Sequence, residues 1–280
     1  MKFFIILQII MLTSIISFSK VKKEKDIAYA DKVNFNLLDI YHEKNIKTPQ
    51  DVIVFIHGGS WNSGKKDTYW FLGRNFARKG KIVVVINYPL SPNVQYQEMA
   101  FDCAKAVNWV KLNINKYGGN PNRIFIMGHS AGAHLAALIN QDKKYFEKIG
   151  VENPIKGVIL NDAFGLNIHQ YLTLQINTDD EYVPGFLKVF TSEPAEWKTA
   201  SPFYKIPNIN NPYLIFMGEK TFLSIRMQSP AFKDEMLKQG KKVIFEEIKG
   251  KKHIGMMSQM AFGGNPLYQK IISFIDSHKS

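Results

Sequence analysis

The chain has 280 residues, 45% of them hydrophobic, enough to bury the core of one α/β domain of ordinary size. Its net charge is +12, yet only four of its 36 basic residues are arginine and the lysines are spread along the whole length. That pattern argues against a nucleic-acid-binding element and for a solvated basic surface. The single cysteine, Cys103, excludes an intrachain disulfide framework, and its place in the helical pattern Phe101-Asp102-Cys103-Ala104-Lys105-Ala106-Val107 reads as a small buried hydrophobe.

From the amino end, Met1-Lys2 is followed by an almost unbroken apolar run from Phe3 to Ile16, and then by Ser17-Phe18-Ser19 ahead of Lys20. A charged n-region, an apolar h-region and small residues before a cut are the parts of a signal peptide. Residues 1–19 are therefore expected to direct export to the periplasm or the extracellular space. Retention as an anchor is the alternative, although the run is shorter than the ~20 residues of a spanning helix. No later stretch is long and apolar enough to cross a membrane, so 20–280 is expected to be an exported domain of net charge +11 without stable membrane insertion.

Residues 37–41, Leu-Leu-Asp-Ile-Tyr, read as an antiparallel strand at a sheet edge. From about residue 50, short runs rich in Ile, Val and Phe alternate with helical patterns, the signature of a mostly parallel sheet buried on both faces. Strands are expected over 52–57, 82–87, 124–128, 157–160, 213–217 and 243–247, and helices over 70–79, 98–117, 131–141, 230–239 and 266–277. The rhythm fails over about 166–202, where Asp179-Asp180-Glu181, Pro184-Gly185 and Pro194 interrupt weak helical patterns. That stretch is expected to be a small lid insertion over the carboxyl ends of the strands, where open α/β sheets bind ligands. The expected architecture is α/β, a mostly parallel sheet of about eight strands with helices on both faces.

Gly128-His129-Ser130-Ala131-Gly132 follows the apolar run Ile124-Phe125-Ile126-Met127 and opens a helix. A serine on a sharp strand-to-helix turn has its hydroxyl held above the sheet, and the flanking glycines let neighbouring backbone pass close by. Ser130 is therefore the candidate nucleophile. His57-Gly58-Gly59-Ser60-Trp61 ends an earlier strand, and its bare glycines suit N–H donors for the oxyanion of acyl transfer. Gly58 or Gly59 is the candidate for one donor and Ala131, the residue after the serine, for the other. A serine hydroxyl needs a base, and His253 lies after the last strand, where this chain order places one. His57 and His129 are expected to pin loops, His134 to pack, and His42, His169 and His278 to lie on the surface.

Together these residues resemble the α/β-hydrolase superfamily, and within it the esterase/lipase group with an H-G-G-x-W motif, which is hormone-sensitive-lipase-like and bacterial feruloyl-esterase-like. The likeness is closest over 100–137, with Tyr117-Gly118-Gly119-Asn120-Pro121-Asn122-Arg123-Ile124 leading into the elbow, and weakest over 166–202. It implies ester hydrolysis through an acyl-enzyme with no metal and no organic cofactor. Members of the group usually place an aspartate three residues after the glycine that ends the penultimate strand, but Gly218-Glu219-Lys220-Thr221 has threonine there. Asp162, at an acid position used by some lipases of this fold, is the preferred substitute, with Glu219 the alternative and a dyad without an acid the third reading.

Trp61 and Tyr88 are expected to flank the substrate pocket. The expected substrate is a small-molecule or carbohydrate-linked ester, and no nucleic-acid partner is expected. An arylformamidase or amidase using the same site is one alternative. A catalytically inactive binding protein of the same fold is another, and Thr221 is the feature that recommends it. The oligomeric state is left open.

Overall fold

The computed structural model describes residues 21–31, 35–175 and 178–278; the expected signal segment, 1–19, lies outside the described residues. The described strands are β1 (Val21–Ala28), β2 (Leu37–Glu43), β3 (Gln50–Ile56), β4 (Ile82–Ile86), β5 (Gly119–His129), β6 (Ile155–Asn161), β7 (Tyr213–Gly218) and β8 (Val243–Ile248), most of them built on runs of β-branched and aromatic residues. They join one sheet in the order β1-β2-β4-β3-β5-β6-β7-β8. The first two pairings, β1 with β2 and β2 with β4, are antiparallel, and every later one is parallel.

The helices are α1 (Trp70–Ala77), α2 (Tyr96–Asn113), α3 (Ala131–Gln141), α4 (Lys144–Glu147), α5 (Ile168–Gln175), α6 (Val183–Phe190), α7 (Pro194–Thr199), α8 (Leu223–Lys238), α9 (His253–Ser258) and α10 (Pro266–Ser277). Alternation along each parallel strand divides the core in two. From β3, Val52, Val54 and Ile56 pack with Val107 of α2 and Leu135 of α3. Ile53 and Phe55 face the other way, with Phe76 of α1 and Ile271 of α10. Each such fully buried side chain stabilises the fold by roughly 1.5–3 kcal/mol relative to exposure.

Strand β1 has no counterpart in the expected elements, because Val-Lys-Lys-Glu-Lys-Asp-Ile-Ala carries no buried face. What holds it is β-ladder pairing with β2 together with an ion cluster centred on buried Lys66. Lys66, only 1% exposed, reaches Asp39 of β2 at 2.8 Å and Asp26 of β1 at 2.5 Å.

Residues 166–202 carry α5, α6 and α7 and wall the cavity above the sheet. Two of the prolines that broke the helical pattern in sequence start helices instead, Pro184 in the first turn of α6 and Pro194 at the head of α7. Among the described residues no helix is long and apolar enough to cross a membrane.

Candidate active site

Strand β5 runs directly into α3 through Ser130, whose backbone sits at φ 54° and ψ −122°. A non-glycine residue held there costs on the order of 1–3 kcal/mol and persists only where its surroundings enforce it. Two glycines do so. A Cβ on Gly132 would lie 2.2 Å from the Ile56 carbonyl oxygen, and one on Gly128 would lie 2.3 Å from that of Gly132. The serine N–H donates to the Asn161 carbonyl on β6 at 3.2 Å, and the Ser130 carbonyl accepts from Ala133 at 3.0 Å. The hydroxyl is thereby held at the carboxyl edge of the sheet.

His253 is the first residue of the short helix α9, after β8. Ser130 Oγ donates to His253 Nε2 at 2.9 Å, and His253 Nδ1–H donates to Asp162 Oδ2 at 2.6 Å. A carboxylate can only accept, so this chain fixes the ring as the Nδ1–H tautomer with a free lone pair toward the serine. Asp162 follows β6 and has left-handed backbone, φ 52°, a conformation that aspartate tolerates better than most residues. Its carboxylate is fully buried. Gly218 N–H donates to Oδ1 at 2.8 Å and the Thr221 hydroxyl to Oδ2 at 2.5 Å.

Glu219 does not join this chain. It accepts from the Gly250 N–H at 2.6 Å and meets Lys249 at 3.5 Å, and the Gly250 bond, with Lys249 in support, holds its carboxyl below the ordinary range. It pins the loop after β8 rather than orienting the histidine, which corrects the alternative assignment of the acid.

Two other rings pack against that of His253. His129 stacks on it with centroids 4.9 Å apart and 25° between planes, and Phe222 lies at 4.9 Å and 53°. His129 also donates from Nε2 to the His253 carbonyl at 3.4 Å. Burial, reinforced by the neighbouring His253, drives His129 down to about 3. Sequence reading missed Phe222 in this role, since nothing in a lone phenylalanine one residue past Thr221 marks it as a neighbour of the base.

The Gly58-Gly59 segment lies across from the serine, and both glycines line the same cavity as Ser130 and His253. Gly59 needs its missing side chain, with φ 126° and Ser63 O only 2.2 Å from a built Cβ. Ser60 and Trp61 continue the turn at φ 49° and 59°. His57 donates from Nδ1 to the Gly58 carbonyl at 2.8 Å, and burial lowers it to about 4. Ala131 is buried behind the serine as the first residue of α3, where a helix leaves its N–H groups without intrahelical partners.

Trp61 lines the cavity and donates from Nε1 to His134 Nδ1 at 3.3 Å. His134 Nε2–H in turn donates to the Ala200 carbonyl after α7 at 2.8 Å. Tyr88 does not line the cavity. It is 1% exposed, stacks on His57 at 4.5 Å and donates its hydroxyl to the His57 carbonyl at 2.9 Å, so it supports the glycine loop from behind. The expectation that it flanks the substrate is corrected accordingly.

The cavity has a volume of about 620 Å³. Phe164, Tyr171, Phe186 and Phe222 give it a mainly aromatic wall, and Leu174, Leu223, Met227 and Ile254 are exposed apolar residues at its edge. Most of these come from 166–202 and from α8, where irregular patterning hid them in the sequence.

Comparison with known proteins agrees with this geometry. The BD-FAE family model matches residues 38–236. The isoprenylcysteine alpha-carbonyl methylesterase ICME of Arabidopsis thaliana is 28% identical over 92% of the chain. The chain spans 63% of that relative's length. Among solved structures, esterase B from Lactobacillus rhamnosis superposes with a TM-score of 0.79 at 18% identity, covering 92% of this chain and 87% of its own. A truncated carbohydrate esterase from gut microbiota superposes with a TM-score of 0.79 at 20% identity, covering 93% and 97%. Fold, elbow and family match converge: the chain belongs to the BD-FAE family, in the feruloyl-esterase-like part of the α/β-hydrolase esterase/lipase group.

Proposed function

We propose that this chain is a carboxylic ester hydrolase that works through an acyl-enzyme on Ser130. The observation that carries this reading is the unbroken hydrogen-bond chain from Ser130 through His253 to Asp162, opening on an aromatic-walled cavity. As Ser130 Oγ attacks the ester carbonyl, His253 Nε2 takes its proton and Asp162 stabilises the imidazolium that forms. The carbonyl oxygen becomes an oxyanion, which the N–H groups of Ala131 and of Gly58 or Gly59 receive. His253 then gives the proton to the leaving alcohol, and a water activated by the same nitrogen releases the acid.

The substrate is a small ester with an apolar or aromatic acyl group, which the rings of Phe164, Tyr171 and Phe186 would enclose. A carbohydrate-linked alcohol is compatible with the likeness to a carbohydrate esterase. The Met1-Lys2 and Phe3 to Ile16 pattern supports export. An intact Ser–His–Asp arrangement speaks against the inactive binding protein, because the hydroxyl of Thr221 meets a carboxylate supplied by Asp162.

The test is hydrolysis of p-nitrophenyl acetate, butyrate and octanoate by purified protein beside Ser130→Ala. Turnover by the wild type and its loss in the variant is expected. Equal rates from the two proteins would remove the acyl-enzyme reading.

A further inference from the structure

Among the described residues thirteen large apolar or aromatic side chains are exposed, and six of them, Leu174, Tyr182, Phe222, Leu223, Met227 and Ile254, line the cavity that holds Ser130. Exposed apolar side chains scattered singly are ordinary on a protein surface, whereas a patch gathered at the mouth of a cavity marks a contact site. Two contacts join these residues. Lys220 N–H donates to the Lys251 carbonyl at 2.9 Å, which ties the turn before α8 to the turn before α9. The Phe222 ring packs on His253 at 4.9 Å and meets that of Tyr182 at 6.2 Å, so the patch runs from both turns onto the lid. Leu223 and Ile254 are the most exposed of the six.

Cations are interleaved with the patch. Residues 218–227 and 249–254 carry Lys220, Arg226, Lys249, Lys251 and Lys252 against a single acid, Glu219. Glu219 is held by the Gly250 N–H and by Lys249, while Lys220, Arg226 and Lys252 are exposed within two residues of Phe222, Met227 and Ile254. The lid differs, since Asp179, Asp180 and Glu181 directly precede Tyr182, so the cationic side of the mouth is the one built by α8 and α9. We propose that this α8–α9 side docks on an anionic lipid surface, with the cavity opening toward the lipid.

The combination of the two chemistries selects the occupant. Leucine and isoleucine gain by leaving water for the acyl layer, and lysine or arginine beside them stays at the level of the anionic headgroups. A soluble polyanion would engage the cations and leave the apolar side chains in water. A long acyl chain threaded in from solution would cover the apolar side chains and leave the cations unused. The contact is peripheral, for no helix among the described residues is long and apolar enough to cross a membrane. Docking is separate from the acyl-enzyme chemistry proposed above, since it needs no reaction at Ser130. It does turn the cavity toward the phase in which an ester with a long apolar tail concentrates.

The experiment is flotation of the purified protein with vesicles of ether-linked phosphatidylglycerol or ether-linked phosphatidylcholine, which offer no carboxylic ester to hydrolyse, at low and at high salt. Binding to phosphatidylglycerol is expected at low salt, with roughly tenfold weaker binding to phosphatidylcholine and loss at high salt. Leu223→Gln and Ile254→Gln are each expected to weaken it roughly 3- to 10-fold. The Lys220→Glu/Lys252→Glu double variant is expected to weaken it roughly tenfold or more. Phe262→Gln, which removes an exposed ring outside the cavity's lining, is expected to bind as wild type does. Thermal melts verify that each variant is folded. No binding by the wild type, binding that every variant retains, or equal loss in Phe262→Gln would overturn the inference. Loss in the charge variant alone would make the patch a site for polyanions, and loss in the glutamine variants alone a site for an uncharged partner. A dimer in sedimentation equilibrium that Leu223→Gln disperses would assign the patch to a second copy; each of these three results also overturns the proposal. Failure to hydrolyse p-nitrophenyl esters would count against the acyl-enzyme reading and leave these binding results standing.

Discussion

The imidazole of His253 lies against that of His129, centroids 4.9 Å apart and planes 25° from parallel. One ring is proposed to become cationic during turnover, whereas burial holds the other neutral, so a cation forms over an uncharged aromatic face. Such contacts contribute about 0.5–2 kcal/mol. His129→Ala is expected to lower kcat roughly 3- to 30-fold with little change in KM, and His129→Phe, which keeps a ring, to lose less. Steady-state kinetics on one p-nitrophenyl ester checks both.

Three buried histidines make stability depend on acid. Burial lowers His57 to about 4, His129 to about 3 and His134 to about 4, against about 6.5 in an unfolded chain. Between those values the unfolded chain binds more protons than the folded one, so their contribution is complete above about pH 6.5 and is lost as pH falls toward about 4. Urea unfolding at pH 7.5, 6 and 5 is expected to show stability falling by several kcal/mol across the series, on the order of 1.4 kcal/mol per histidine per pH unit. In His134→Gln the slope is expected to be shallower.

Gly132 and Gly185 are expected to respond in opposite directions to alanine. At Gly132 the added methyl meets the Ile56 carbonyl at 2.2 Å, and at Gly185, inside α6, nothing lies within 4 Å. Gly132→Ala is expected to destabilise by more than about 4 kcal/mol or to prevent soluble expression, and Gly185→Ala to stabilise by roughly 0.5–1 kcal/mol. Thermal melts of the two variants distinguish the outcomes.

Leu223 and Ile254, 68% and 72% exposed at the cavity's edge, contribute little to the core. Leu223→Gln and Ile254→Gln are expected to leave the melting temperature within about 2 °C of wild type. Each is expected to raise KM for p-nitrophenyl octanoate several-fold while leaving acetate unaffected, because only a long acyl chain extends to that rim. The ratio of the two KM values is the measurement.

The parallel strands were legible because burial on both faces leaves continuous apolar runs, and α3 and α10 match expectation at both ends because sharp turns bound them. The elbow serine and the glycine loop were legible for the same reason, since each sits in a fixed place relative to a strand. Contacts between distant residues were not. Asp162, Thr221 and His253 meet only through the order of β6, β7 and the chain after β8, and Tyr88, an aromatic beside a strand end, carries no mark of which side of His57 it occupies. His42 was read as a surface residue, yet it is 8% exposed and bonded to the Glu43 carbonyl, a local contact invisible to pattern.

Among the described residues, β1 closes one rim of the sheet, with Lys22 and Lys25 exposed along it. A bare rim is a template on which a second chain can add strand by strand, the first step toward fibrils. A copy arriving rim to rim would meet the exposed charges of Lys22, Lys25 and Asp26, which lose their water as the strands close. Charged side chains along an edge strand oppose such templating, and on β1 they come from the same lysine-rich surface that sets the net charge.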